Sequence, residues 1–237
     1  MAGNSNRVGR AIMGGLVPVA GTLAPNVVGN ALRRILAVAI DGGNGLPGAR
    51  AAAAAKLQKY GDPDLAIDAL VNQHISLAGA QGFLTNIGGL IATPFTLPAN
   101  MLGIAVVQAR MVASIAHLRG YDLDDPRVRT AVAMCLVGDG LERTLGSAEL
   151  PTRPLVVATA PVYDIKTDRR IADRVGADLI NRVGGKQIVV AFTKRVPVVG
   201  GGVGAVYDGW STFQVARYAR AELLTRRTRR PEQQPPA

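Results

Sequence analysis

The chain has 237 residues, a net charge of +10 and a single cysteine, Cys135. That length admits one domain or two small ones with a proper core; the lone cysteine excludes an intrachain disulfide framework or a cysteine-based zinc site, as expected in a reducing cytoplasm. Aromatic residues are only 4% and are not interleaved with basic ones as base-stacking surfaces require, so the pI near 10.5 favours an anionic membrane surface over nucleic acid as the partner.

Residues 1–25 carry Arg7 and Arg10 before an apolar stretch and so imitate a secretory signal. Gly14, Gly15, Pro18 and Gly21 interrupt it, however, and the small-residue cleavage point after Ala24 is followed by Pro25. The segment is expected to be an arm. "NVVGNALRRILAVAI" (26–40) predicts a short helix that stops at the breaker cluster "DGGNGLPG". Pro47 then opens a helix through "GARAAAAAKLQKY", which Gly61 ends. Asp62-Pro63 starts another, with Asp as N-cap and Pro in the first turn. Its apolar face is Ile67, Leu70, Val71, Ile75 and Ala78, and it is expected to run to about Ala80.

The next stretch, "GAQGFLTNIGGLIATPFTLP", is broken by Gly82, Gly88, Gly89, Pro94 and Pro98. A helix is expected from about Pro98 to Leu118. Leu97, Met101, Ile104, Gln108, Met111, Ile115 and Leu118 give it a seam at steps of four and three, and Gly120 stops it. Asp125-Pro126 repeats the start signal for a helix to about Leu145. Residues 146–164 are Pro-rich, with a strand-like piece at "LVVATA". A polar amphipathic helix follows from Lys166 to about Val183. "VPVVGGGVGAVYDGW" then enters a last helix ending near Arg227. The expected fold is all-α: a compact bundle of about six to seven helices with a Gly/Pro-broken apolar hairpin. The expected domain plan is an arm with a short helix at 1–45, a helical domain at 46–225 and a basic, Pro-rich tail at 226–237.

From Ala69 to Ala109 there is no Asp, Glu, Lys or Arg. A membrane-spanning helix needs about 20 largely apolar residues, and this stretch is long enough for two. Its Asn, Gln, Thr and Ser content and a mean hydropathy of only +0.19 for the chain argue against a double span. A buried helical pair and a shallow, surface-lying hairpin remain open. The membrane or partner contacts expected are Phe83, Leu84, Ile87, Leu90, Ile91, Phe95 and Leu97, joined by Arg226, Arg227, Arg229 and Arg230 of the tail. Those four arginines hold much of the charge excess; without them the balance is about +6. Gly200 and Gly204 have GxxxG spacing and are expected to let the last helix pack closely.

The residues nearest to a chemical constellation lie on the helices flanking "LRGYDLDDP". Arg110, Ser114 and His117 share one helix stripe, and Cys135, Asp139 and Glu142 share another. One reading is a structural ion pair of Arg110 with Asp139, assisted by Glu142, because buried charges need partners. The other is a hydrolytic site of Ser114, His117 and Asp139, although no nucleophile elbow or oxyanion hole is visible. His74 and His117 are the only histidines and lack metal-ligand spacing. No phosphate loop accompanies the glycines. No metal or cofactor is expected.

"LPANMLGIAVVQARMVASIAHLRGYDLDDPRVR" and the later "KRVPVVGGGVGAVYDGWSTFQVARYARAEL" resemble the EcsC protein family of bacteria. The matching positions are Pro98, Gln108, Arg110, Met111, Ile115, Ala116, Gly120, Tyr121, Asp125 and Pro126, then Pro197, Gly200 and Gly204. The resemblance covers about 46–225 and implies a bacterial, mainly helical protein beside a membrane, with an ABC transporter as a possible partner, and assigns no catalytic residue. The function expected is therefore that of a non-enzymatic, peripheral membrane-associated accessory or interaction protein. A helical protein binding an apolar or lipid-like ligand is the first alternative, and a serine hydrolase the second.

Overall fold

The computed structural model describes residues 25–43, 47–87, 96–193 and 197–226. These form α1 (Pro25–Asp41), α2 (Ala49–Tyr60), α3 (Pro63–Ile87), α4 (Thr96–Leu118), α5 (Pro126–Val137), one-turn α6 (Leu141–Leu145) and α7 (Pro154–Ala158), α8 (Ile165–Thr193) and α9 (Pro197–Glu222). The protein is all-α, and the described residues contain no β-strand.

Short-range chemistry sets most helix ends. Gly61 takes φ +72 after α2, where an L side chain would be strained. The Asp62 carboxylate then accepts from the amides of Asp64 and Leu65, each at 2.9 Å, to open α3. Asp125 does the same for α5 through Arg127 N at 2.9 Å, with Pro126 in the first turn. Asp164 opens α8 by accepting from Lys166 N at 2.9 Å. After α4, Gly120 at φ +83 and the amide of Tyr121 returning to Ala116 O at 3.0 Å close the last turn.

Several boundaries differ from the sequence expectation. α3 runs to Ile87, through Gly82 rather than stopping near Ala80, and α8 runs to Thr193 rather than about Val183. α5 ends at Val137, because Gly138 turns to φ +65 and a 3₁₀ turn follows before α6. The strand-like "LVVATA" is instead the single helical turn α7, with Pro154 at its start. α9 ends at Glu222.

α5 is the central helix. Val128 and all eight residues from Thr130 to Val137 are buried, as a helix apolar on every side should be. Around it, Leu32 and Leu36 of α1, Ile67 and Leu70 of α3, Met111 and Ile115 of α4 and Val175 of α8 form one continuous core. α1, grouped by sequence with the arm, thus belongs to the same core as α3–α9. Complete burial of each large aliphatic side chain contributes about 1.5–3 kcal/mol, so this core is the main source of stability.

α3 and α9 run antiparallel. Asp68 meets Arg220 at one end, Ile75 faces Gly209, and Gly82 faces Gly204 at the other end. α4 is antiparallel to α3, since Arg110 reaches His74 and Gly103 lies beside Gln81. The end of α3, the start of α4 and the start of α9, all charge-free, therefore lie toward one end of the bundle. In α3, α4 and α9 every charge except Asp208 lies toward the opposite end. Among the described residues no helix is long and apolar enough to cross a membrane.

Candidate functional site

The structure does not assemble the hydrolytic arrangement. Ser114 is fully buried, and its single hydroxyl proton is shared between Arg110 O at 2.8 Å and Ala49 O at 3.0 Å. Back-bonding of this kind satisfies the hydroxyl and leaves no approach for a substrate. His117 is exposed on α4. Asp139 sits in the turn after α5, is exposed, and pairs with Arg217 of α9 at 3.3 Å. The three side chains thus face three different surroundings.

The expected ion pair of Arg110 with Asp139 and Glu142 is also replaced. Arg110 turns toward α3, where its Nε donates to His74 Nε2 at 3.2 Å, and its terminal nitrogen donates to Pro47 O at 3.4 Å. His74 is buried, and its Nδ1 lies 2.8 Å from Leu70 O. Arginine cannot accept a proton bond, so Nε2 must be the acceptor and Nδ1–H the donor. Burial, reinforced by the charges of Arg110 and Lys56, holds the His74 pKa down to about 4. The imidazole is neutral at pH 7 and acts as a structural acceptor. Glu142 is exposed on α6.

A different feature stands out on α9. Val206, Trp210 and Phe213 are 72%, 59% and 49% exposed. Spaced four and three apart, they share one helix stripe. Arg217, also exposed, continues it. Tyr207 lies beside it, 46% exposed. The opposite face of α9 is buried: Thr212, Val215, Ala216 and Ala219 pack inward, and Ser211 and Thr212 take hydrogen bonds from Gln108 at 3.2 Å each. The chain has one tryptophan and few aromatics, yet the tryptophan, a phenylalanine and a tyrosine adjoin in water here. Tryptophan and tyrosine combine an apolar body with a polar tip and suit a membrane–water interface.

The remaining expected contacts are placed as follows. Phe83, Leu84 and Ile87 lie in α3 and Leu97 in α4; their side chains, and Leu90, Ile91, Phe95, Arg227, Arg229 and Arg230 altogether, lie outside the described residues. Arg226 is exposed, 5.6 Å from the centre of the Tyr121 ring. Gly200 lies in α9, and Gly204 supplies the backbone that Gly82 touches. No group of three or more potential metal ligands occurs among the described residues.

The sequence did contain a signal for the α9 stripe. Val206, Trp210 and Phe213 show helical spacing, but so does the buried set on the opposite face. Only the packing of α3 and α4 distinguishes them. No protein-family model, curated protein or solved structure matches the chain.

Proposed function

We propose that this is a non-enzymatic accessory protein that binds peripherally to an anionic membrane surface, with α9 lying along the bilayer interface. The observation that carries this reading is the exposed line Val206–Trp210–Phe213–Arg217. An interfacial helix buries such an apolar face to about 5–10 Å while its basic residues stay at headgroup level. Each basic side chain near an anionic leaflet adds about 1 kcal/mol, and the net charge of +10 supplies attraction from a distance. Arg217 stands one turn beyond Phe213 on α9, so a flat α9 holds this basic side chain at headgroup level beside the apolar stripe. The resemblance to EcsC proteins supports the same setting, including a membrane transporter as partner.

Flotation with liposomes tests the reading. The protein is expected to float with phosphatidylserine-containing vesicles, less with phosphatidylcholine alone, and less at 1 M salt, because screening shortens the reach of surface charge to about 3 Å. The double variant Trp210→Ser, Phe213→Ser should stay at the bottom of the gradient while keeping its helical circular dichroism. Flotation unaffected by that variant contradicts the proposal. So does a vesicle-independent dimer that the variant abolishes, which would assign the stripe to a second copy of the chain.

A further inference from the structure

A groove of about 200 Å³ opens between α1, α5 and the start of α8, away from the α9 stripe. Its floor is apolar and buried: Leu32, Leu36, Ala133 and Ala172 are each at most 7% exposed. Two opposite charges stand at its wall. Asp168 is fixed by a hydrogen bond from the Thr130 hydroxyl, and burial together with its charge raises the pKa of the neighbouring Tyr163 phenol. A carboxylate has about four acceptor positions, so capacity remains. Arg33 is exposed on α1 and makes its hydrogen bond to the neutral amide oxygen of Asn30 at 3.0 Å. The second arginine of the groove, Arg129, is already engaged, by Asp41 at 3.1 Å and by Leu123 O at 2.8 Å.

The volume falls below the roughly 300–1,000 Å³ of sites for drug-sized ligands, so the occupant is small. An apolar floor asks for an aliphatic or aromatic group. A fixed carboxylate and a cation hydrogen-bonded to an amide, with the Asp173 carboxylate beside it across Gly29, ask for a molecule bearing both charges. We propose that this groove binds a free α-amino acid with an apolar side chain. Its carboxylate would meet Arg33, its ammonium group Asp168 and Tyr163, and its side chain the Leu36–Ala133–Ala172 floor. Charge-assisted bonds of this kind, in a site with an apolar wall, are stronger than neutral ones. The inference is independent of the membrane reading, since it uses different helices.

The test is calorimetric and NMR titration of the full chain with L-leucine and L-phenylalanine, beside leucinamide, which lacks the carboxylate, and 4-methylpentanoate, which lacks the amine. Saturable binding is expected for the two amino acids, with at least about tenfold weaker binding for each analogue, a factor equivalent to losing one charged hydrogen bond. Arg33→Gln and Asp168→Asn should each weaken leucine binding by a similar factor, and Arg33→Lys should restore part of it. Arg33 is exposed, so its substitution leaves the fold intact even if Asp168→Asn does not. Absence of saturation up to about 10 mM, a concentration at which weak millimolar binding would register, overturns the proposal. Equal binding of the analogues, or of the Arg33→Gln variant, overturns it as well.

Discussion

Gly82 of α3 rests directly on the backbone of Gly204 of α9: a Cβ on Gly82 would come 2.7 Å from the Gly204 carbonyl oxygen and 2.9 Å from its carbon. Neither atom can rotate away, so the two helices hold this separation only while position 82 has no side chain. Gly82→Ala should therefore destabilise the protein by about 1–3 kcal/mol, the usual cost of overpacking, despite alanine's better helix propensity. Gly209 lies on the same interface, but a Cβ there would meet Ile75 at 3.8 Å, an ordinary van der Waals contact. Gly209→Ala should stabilise by up to about 1 kcal/mol. Urea denaturation of the two variants checks the contrast; equal effects would contradict the packing described.

The His74–Arg110 contact predicts a pH dependence. The folded pKa of His74 is about 4, below the unfolded value near 6.5. The unfolded state therefore binds the proton first as pH falls, and stability is lost between about pH 6.5 and 4. A shift of that size corresponds to about 3 kcal/mol. Carboxylates titrate in the same range, so the readout is a difference. The stability of wild type relative to His74→Gln should decline as pH falls from 7 to 4.5. A constant difference would show that the buried imidazole does not titrate as described.

Arg119 closes the end of α9. Its terminal nitrogen donates to the carbonyls of Arg220 and, at 2.6 Å, Leu223, while Tyr121 Oη donates to Leu224 O at 2.8 Å. A cation at a helix C-terminus is favoured by the exposed carbonyls. Hydrogen bonds from a charged group contribute about 1.5–3 kcal/mol, so Arg119→Met should cost about that much. Amide exchange should accelerate most in the last turn of α9, and Tyr121→Phe should produce a smaller effect at the same place.

Ser114 gives a prediction of the opposite kind. With its hydroxyl engaged on Ala49 O and Arg110 O, it should not react with a fluorophosphonate probe in the native protein. Ser114→Ala should cost about 1 kcal/mol, the net worth of one buried hydrogen bond. Labelling of Ser114 under native conditions would revive a hydrolytic role.

What the sequence made legible was local. Asp62-Pro63 and Asp125-Pro126 announce helix starts, and Gly61 and Gly120 announce stops, because each acts within a few residues. The extension of α3 through Gly82 was not legible, since Gly204, which makes that glycine useful, lies on another helix. The partner of Arg110 was misread for the same reason. Sequence spacing offered Asp139 on the next helix, whereas the fold delivers His74 from α3 and Pro47 from the loop before α2. Likewise Val206, Trp210 and Phe213 carry no mark of exposure in the sequence. Their face is open because α3 and α4 cover the other one.

The central claim is that the α9 stripe enters a bilayer interface, and Trp210, the sole tryptophan, reports on it directly. Titration with phosphatidylserine-containing vesicles should shift its emission to the blue, and lipids carrying a quencher at a shallow acyl position should quench it more than those carrying one near the chain end. Emission that stays red-shifted and unquenched at saturating vesicle concentration would contradict the account.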